Sequence, residues 1–380
     1  MFDIYIQPIP WGKTGWVWRE DEFRQWMDER ITATQVLIQQ KQLNVDISLQ
    51  VTIPNEWKKL APVNIGYTAG IETTKVSPQW LPKGNEMDKI LVVSSHAKTT
   101  YENTVAMAKN NQTGEEFQYK LETPIEVVHE TTDQAPPEDF DIKLDYDFNF
   151  LTLSQWSPRK NFENTIQWWV EEFIDQEVGL IVKTNTTNNS LSDRTYTNQR
   201  ILNLINKYPD RKCKVYLLHG DLSPGQMTSL YRNEKVKSLI NIAHGEGFGL
   251  PLFEAARESL PIIACGWSGH MDFLHHNGEN LFQDVEYTIQ PVQQEAVWPG
   301  VIEGDSMWAY ADQGSYKMTL RDTYKNWDNA KAQAEKLKLL LDETFNEEKL
   351  FAGFVKAVNG EEIDIDSWLD ELESEMVTSD

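Results

Sequence analysis

Cysteine is nearly absent: the 380 residues include two, Cys213 and Cys265. Both fall in apolar, strand-like runs, KCKVYLL and PIIACG. Neither a disulfide framework nor a cysteine-based metal site is therefore expected, and reducing cytosol is the natural setting. No run approaches the roughly 18 to 20 apolar residues needed to span a bilayer. The start, MFDIYIQPIPW, lacks the basic segment and apolar stretch of a signal peptide, so the chain reads as cytoplasmic with no transmembrane segment. Basic residues are also in deficit, with 35 Lys and Arg against 59 Asp and Glu and a formal charge of -24. Contacts to a polyanion rest on clustered Lys and Arg, which argues against nucleic acid as the main partner. The last twenty residues hold nine acids and no base, and explain only part of that charge. They read as a solvated tail; the alternative is a docking face of Ile363, Ile365, Trp368, Leu369 and Leu372.

What is present is a folded chain, 40% hydrophobic and 25% charged, with 14 tryptophans. Its length exceeds what one core usually supports, so two domains of roughly 150 to 200 residues are expected. Strand candidates in the first part are MFDIYIQ, VDISLQVTI, VNIGYT, KILVVSS and IEVVHE, with helix candidates around 20–41 and 96–109. The stretch TTDQAPPEDFDIKLDYD, 131–147, mixes Pro pairs with acids and lacks an apolar period, which marks a linker. Beyond it the pattern is regular. FNFLTLS, GLIVKT, KVYLLHG, SLINIAH and PIIACG alternate with helices around 161–176, 194–207 and 223–232 and with one opening at Pro251. In the first of these helices Ile166, Trp169, Val170 and Phe173 recur at i, i+3, i+4 and i+7. Trp168 and Trp169 are accordingly read as core. This is a doubly wound α/β pattern. The expected division is an N-terminal domain over 1–147, a C-terminal domain over 148–342, and a final helix, near 343–357, with the acidic tail over 343–380.

HGEGFGLPLFEAA, 244–256, follows the strand SLINIAH and so lies at the carboxyl end of the sheet, where open α/β sheets bind ligands. Gly245, Gly247 and Gly249 permit close backbone approach, and Pro251 suits the first helical turn. Amides beside a helix N-terminus attract anions, phosphate above all. Glu246 and Glu254 flank that turn as hydroxyl-seeking carboxylates, and a nucleotide sugar is a ligand with hydroxyls on both sides of a phosphate. The bland alternative is a helix-start acid and a solvated acid.

EGFGLPLFE resembles the donor signature of the retaining GT-B glycosyltransferases of family four, a glutamate, seven residues and a second glutamate. LPIIACGWSGHMDFL resembles the segment that follows in that family, with Asp272 where a glutamate is commoner. FNFLTLSQWSPRKNFENTI resembles the start of its C-terminal domain. IPNEW, GIETTKVSPQW and DKILVVSSHAK resemble N-terminal segments of some members. The resemblance implies two Rossmann-like domains facing a cleft, with a C-terminal helix crossing back to the N-terminal domain. It implies transfer of a hexose from a UDP- or GDP-linked sugar to a glycan or other hydroxyl acceptor, with retention, without an enzyme nucleophile and without a metal. Glu246 would bind hexose hydroxyls and Glu254 the ribose; Lys160 and the amides at Gly247, Phe248, Gly249 and Leu250 would hold the diphosphate. His244 touches the same turn and is read either as a contact to phosphates or sugar or as a structural histidine, and the same two readings apply to His270 in WSGHMDF. Two departures accompany the likeness. Ser154-Gln155 stands where many members have Gly-Arg, with Arg159 the nearest substitute, provided a turn at Pro158 lets residues 159 and 160 reach one site. The N-terminal glycine-rich loop has only WGKTGW, 11–16, as candidate, and the family's N-terminal histidine is not placed, since His96 follows a different strand.

Three other functions fit parts of the sequence. DFD at 139–141 and DYD at 145–147 match the metal-holding Asp-x-Asp of another glycosyltransferase fold, although they lie in the linker. Two carboxylates could serve a glycoside hydrolase, which has no use for a phosphate cradle between them. A noncatalytic nucleotide-sugar or glycan-binding protein would also explain the displaced arginine. His275 and His276 have no third ligand for zinc.

Overall fold

Strands buried on both faces of a parallel sheet read as continuous apolar runs, and those runs are where the computed structural model places its larger sheet. The model describes residues 2–9, 21–110, 112–132 and 135–360. WGKTGW and the acidic tail lie outside the described residues.

The chain divides into two units, 1–48 with 59–64, and 49–58 with 65–380. The first is built on the helix Glu22–Gln40, capped by the Asp21 carboxylate on the Arg24 amide and closed by Lys41 in a left-handed conformation. Residues 2–7 of the expected strand MFDIYIQ carry no regular element; the Ile6 amide donates to Thr34 Oγ1 at 3.0 Å instead.

Most of a four-stranded sheet and all of a six-stranded parallel sheet lie in the second unit. One has the order Ile47–Val51, Val63–Thr68, Lys89–Val92, Ile125–Val127, over a core that includes Trp57, Trp80, Leu81 and Ile90. The other has the order Gln283–Val285, Ile262–Cys265, Val236–Asn241, Asn149–Leu153, Gly179–Lys183, Lys214–Leu218. Numbered along the chain, that is 6-5-4-1-2-3, the dinucleotide-fold arrangement whose ligand crevice opens between the first and fourth strands. Alternation along each strand divides the core. Phe150, Leu180, Val182 and Ile240 face the helices Phe162–Glu172, Leu191–Ile205 and Gln313–Lys325. Leu151, Ile181 and Leu239 face Pro224–Tyr231, Leu250–Arg257 and Trp327–Thr344. Trp169 is fully buried in the first of these cores, as its helical period requires.

A further expectation is corrected. The helix expected over 96–109 spans Ser95–Asn103, and Val105–Lys109 instead pairs antiparallel with Glu116–Lys120. Among the described residues the last helix is Glu347–Asn359, and it returns to the N-terminal sheet as expected: Lys89 Nζ donates to the Ala357 carbonyl at 2.7 Å, and Phe354 packs edge-on to Tyr67. Among the described residues no helix is long and apolar enough to cross a membrane.

Candidate active site

The crevice between the first and fourth strands of the six-stranded sheet receives two loops. After Asn149–Leu153 the chain turns through the 3-10 helix Pro158–Lys160 and exits at Asn161 with φ 53°. That turn projects Arg159 and Lys160 to one place. Lys160 Nζ lies 2.6 and 2.8 Å from the two carboxylate oxygens of Glu246. Arg159 Nη1 donates to Glu246 Oε2 at 3.2 Å and to the Gly245 carbonyl at 2.7 Å. Gln155 donates to the Thr186 carbonyl, and Trp156 stacks on Phe162. Neither replaces a cation in the crevice.

The second loop follows Val236–Asn241. Asn241, the last residue of that strand, donates to Glu246 Oε1 at 2.9 Å. The Glu246 amide donates to Ser268 Oγ, and its carbonyl accepts from the Gly269 amide, both at 2.9 Å. Gly249 begins the helix Leu250–Arg257 at φ 99°, a conformation that disfavours any side chain, and Pro251 sits in the first turn. Phe248 is core, packed on Phe253 and Phe273, so its side chain is turned inward and its backbone is what it offers a ligand. Burial alone would raise the Glu246 carboxyl, but Lys160 and Arg159 outweigh it and hold it down to about 2. Glu254 lies further along the helix. Its Oε2 accepts from Tyr231 at 2.8 Å, and burial pushes its carboxyl up. The two glutamates of the motif thus sit in separate hydrogen-bond sets, one cationic and one neutral.

The histidines divide by role. His244 Nδ1 meets the Ala309 carbonyl at 2.6 Å, and its ring stacks on Trp308. His270 Nε2 meets the Cys265 carbonyl at 2.7 Å, while its buried Nδ1 has no protein partner. His96 Nε2 is likewise buried and unpartnered, its ring edge-on to Trp267, and burial brings its pKa down to about 4. Two neutral imidazoles therefore offer acceptor nitrogens. His275 and His276 are exposed on a short antiparallel pair. Of the linker acids, Asp145 pairs with Lys214 and Asp147 with Lys235. Among the described residues no group of three His, Cys, Asp or Glu could hold a metal.

Three contributors, Glu72, Asn241 and Tyr231, escaped the sequence reading, which named a fourth, Asp272, without its partners. Glu72 lies 3.3 Å from Arg159 Nη2. Asn241 and Tyr231 orient the two motif glutamates. Asp272 Oδ2 accepts from the Ser95 amide at 2.7 Å and meets His129 Nε2 at 2.8 Å. An acid in the GIETT stretch and a polar residue ending an apolar strand were visible signals; the His129 pairing, between residues far apart in sequence, had none.

No family model matches the chain, and no curated protein does. Among solved structures it is similar to sucrose-phosphate synthase from Thermosynechococcus elongatus, at 12% identity and TM-score 0.58, over 97% of this chain and 82% of that one. It is similar to the pneumococcal O-GlcNAc transferase GtfA in complex with UDP and GlcNAc, at 12% identity and TM-score 0.51, over 86% of this chain and 59% of that one. A third is TarM, at 12% identity and TM-score 0.50 over 82% of this chain; the chain spans about half of TarM's length, 54%. The shared architecture is the GT-B fold, two Rossmann-like domains.

Proposed function

We propose that the chain is a retaining glycosyltransferase of the GT-B class and of family four, moving a hexose from a nucleoside-diphosphate sugar to a glycan or other hydroxyl acceptor. The observation that carries this reading is the convergence of Arg159 and Lys160 on Glu246 at the switch point of the six-stranded sheet. As the bond from the anomeric carbon to phosphate breaks, negative charge grows on the diphosphate, and preorganised cations and amides stabilise it. Lys160, Arg159 and the amides of Gly247 to Leu250 are the groups for that task. Glu246 and the acceptor nitrogens of His96 and His270 suit hexose hydroxyls, and Glu254 suits the ribose. Retention follows from attack on the face the leaving group vacates, with a phosphate oxygen taking the acceptor proton. The UDP and GlcNAc held by GtfA make UDP-linked sugars the first donors to try.

Thermal stabilisation by UDP, GDP, ADP and their sugars tests the donor site, because a ligand that binds only the folded state raises stability by RT ln(1 + [L]/Kd). NMR of the product then reads the anomeric configuration, which an inverted product would decide against. Stabilisation with neither transfer nor donor hydrolysis on a panel of acceptors would instead indicate a noncatalytic nucleotide-sugar binder.

Two substitutions separate the glutamates. Glu254→Gln weakens nucleotide binding, about tenfold for one hydrogen bond to a charged group. Glu246→Gln lowers turnover and leaves free nucleotide bound at least as well, since Glu246 competes with phosphate for the two cations. Calorimetry with UDP reads both, and equal weakening would refute the division of roles. Transfer is also expected to survive EDTA; its loss, with rescue by manganese, would point to the aspartates of the linker.

A further inference from the structure

Glu72 is buried on the loop after Val63–Thr68, and its backbone carbonyl lies against Gly245 of the motif. The charged groups that face it are Arg159 and Lys160 from the 3-10 helix and Glu246 from the motif loop. Arg159 is shared, with Nη2 toward Glu72 and Nη1 toward Glu246 and Gly245. The cluster holds two acids and two bases in a buried setting, so its charges balance.

That balance conflicts with the function proposed above, on which this inference rests. Glu246 Oε1 takes Lys160 and Asn241, and Oε2 takes Lys160 and Arg159. A carboxylate accepts about four hydrogen bonds, so none is left for a hexose hydroxyl while both cations remain on it. An entering diphosphate draws the cations off and frees those acceptors. It also adds negative charge beside Glu72 and removes the counter-ion that Arg159 supplies.

We infer that Glu72 is a proton-accepting positioning residue: when a nucleoside diphosphate enters, Arg159 swings from Glu72 to the phosphate and Glu72 takes one proton from solvent. The protonated carboxyl then balances the charge of the loaded site and leaves Arg159 with the leaving group. Burial already raises the Glu72 carboxyl, with the positive charge of Arg159 opposing it. A neighbouring anion moves it further in the same direction.

The test is calorimetry of UDP, GDP and ADP binding at several pH values between about 5.5 and 8, each in buffers of different ionisation enthalpy. Binding with uptake of up to one proton is expected. Because protonation favours the complex, affinity falls as pH rises through the window between the free and loaded pKa values, approaching about tenfold per pH unit. Glu72→Gln mimics the protonated carboxyl, so it keeps binding but loses both the uptake and the pH dependence. Difference infrared spectroscopy of the wild-type protein should show a protonated carboxyl appearing with nucleotide, a readout that does not depend on how the variant folds. Nucleotide binding with no uptake across the range, or uptake unchanged in Glu72→Gln, overturns the role of Glu72 and leaves the donor site standing. No nucleotide binding at all overturns the donor site and this role together.

Discussion

Lys160→Ala is expected to lower transfer by about 100- to 1000-fold, the range typical for one lost donor in a charge-stabilising site. Lys160 Nζ contacts both oxygens of Glu246 and is mostly buried. It is therefore a desolvated charge at the place where the diphosphate would develop its own. Donor hydrolysis should fall in parallel, because leaving-group departure is common to hydrolysis and transfer. Arg159→Ala should reduce both by a smaller factor. Arg159 divides its donors among Glu72, Glu246 and the Gly245 carbonyl, and only part of that set is free to turn to phosphate. Removing one partner of a buried pair also costs about 3 to 5 kcal/mol, so the melting temperature of each variant must be measured and activity assayed well below it. Lys160→Ala transferring within about threefold of the parent would remove Lys160 from the mechanism. Arg159→Ala losing transfer while hydrolysis held at the parent rate would move Arg159 to acceptor binding.

The C-terminal sheet was legible because strands buried on both faces have no polar period to confuse them: FNFLTLS, GLIVKT and SLINIAH each became a strand. The hairpin Val105–Lys109 with Glu116–Lys120 was not, since Met107 and Phe117 are exposed and a short, weakly alternating ribbon resembles the end of the preceding helix. The helices Gln313–Lys325 and Trp327–Thr344 lay beyond the last strand that the pattern had identified. Within the crevice, the placing of Arg159 beside Lys160 followed from Pro158, whose fixed backbone angle favours a tight turn. The state of Glu246 did not follow from its neighbours in sequence. Its engagement with both cations depends on two loops that the strand order brings together, and sequence spacing carries no information on that order. Glu72 escaped for the same reason, because its partner Arg159 is reached only through the fold.

Gly269→Ala is expected to remove nucleotide binding and transfer together, by at least about 100-fold, through the backbone of the motif loop. A methyl group at this position would stand 1.8 Å from the Gly247 carbonyl oxygen, 2.5 Å from the Gly247 carbonyl carbon and 2.8 Å from the Glu246 carbonyl oxygen. All three are backbone atoms, so no side chain can rotate away and the two loops must part. Parting breaks the bond from the Gly269 amide to the Glu246 carbonyl and pulls Ser268 Oγ off the Glu246 amide. The Glu246 carboxylate then leaves Lys160, Arg159 and Asn241, while the amides of Gly247 to Leu250 lose their aim. Overpacking of this kind typically costs about 1 to 3 kcal/mol, less than a domain's total stability, so the protein should still fold with a lowered melting temperature. Gly353→Ala is the matched control. It lies in the helix Glu347–Asn359 with open space around its would-be methyl group, and alanine there should be neutral or stabilising by up to about 1 kcal/mol. Calorimetric UDP binding and melting curves for the two variants decide the matter. If Gly269→Ala bound UDP like the parent, the contact between the WSGH turn and the motif loop would have no part in the site.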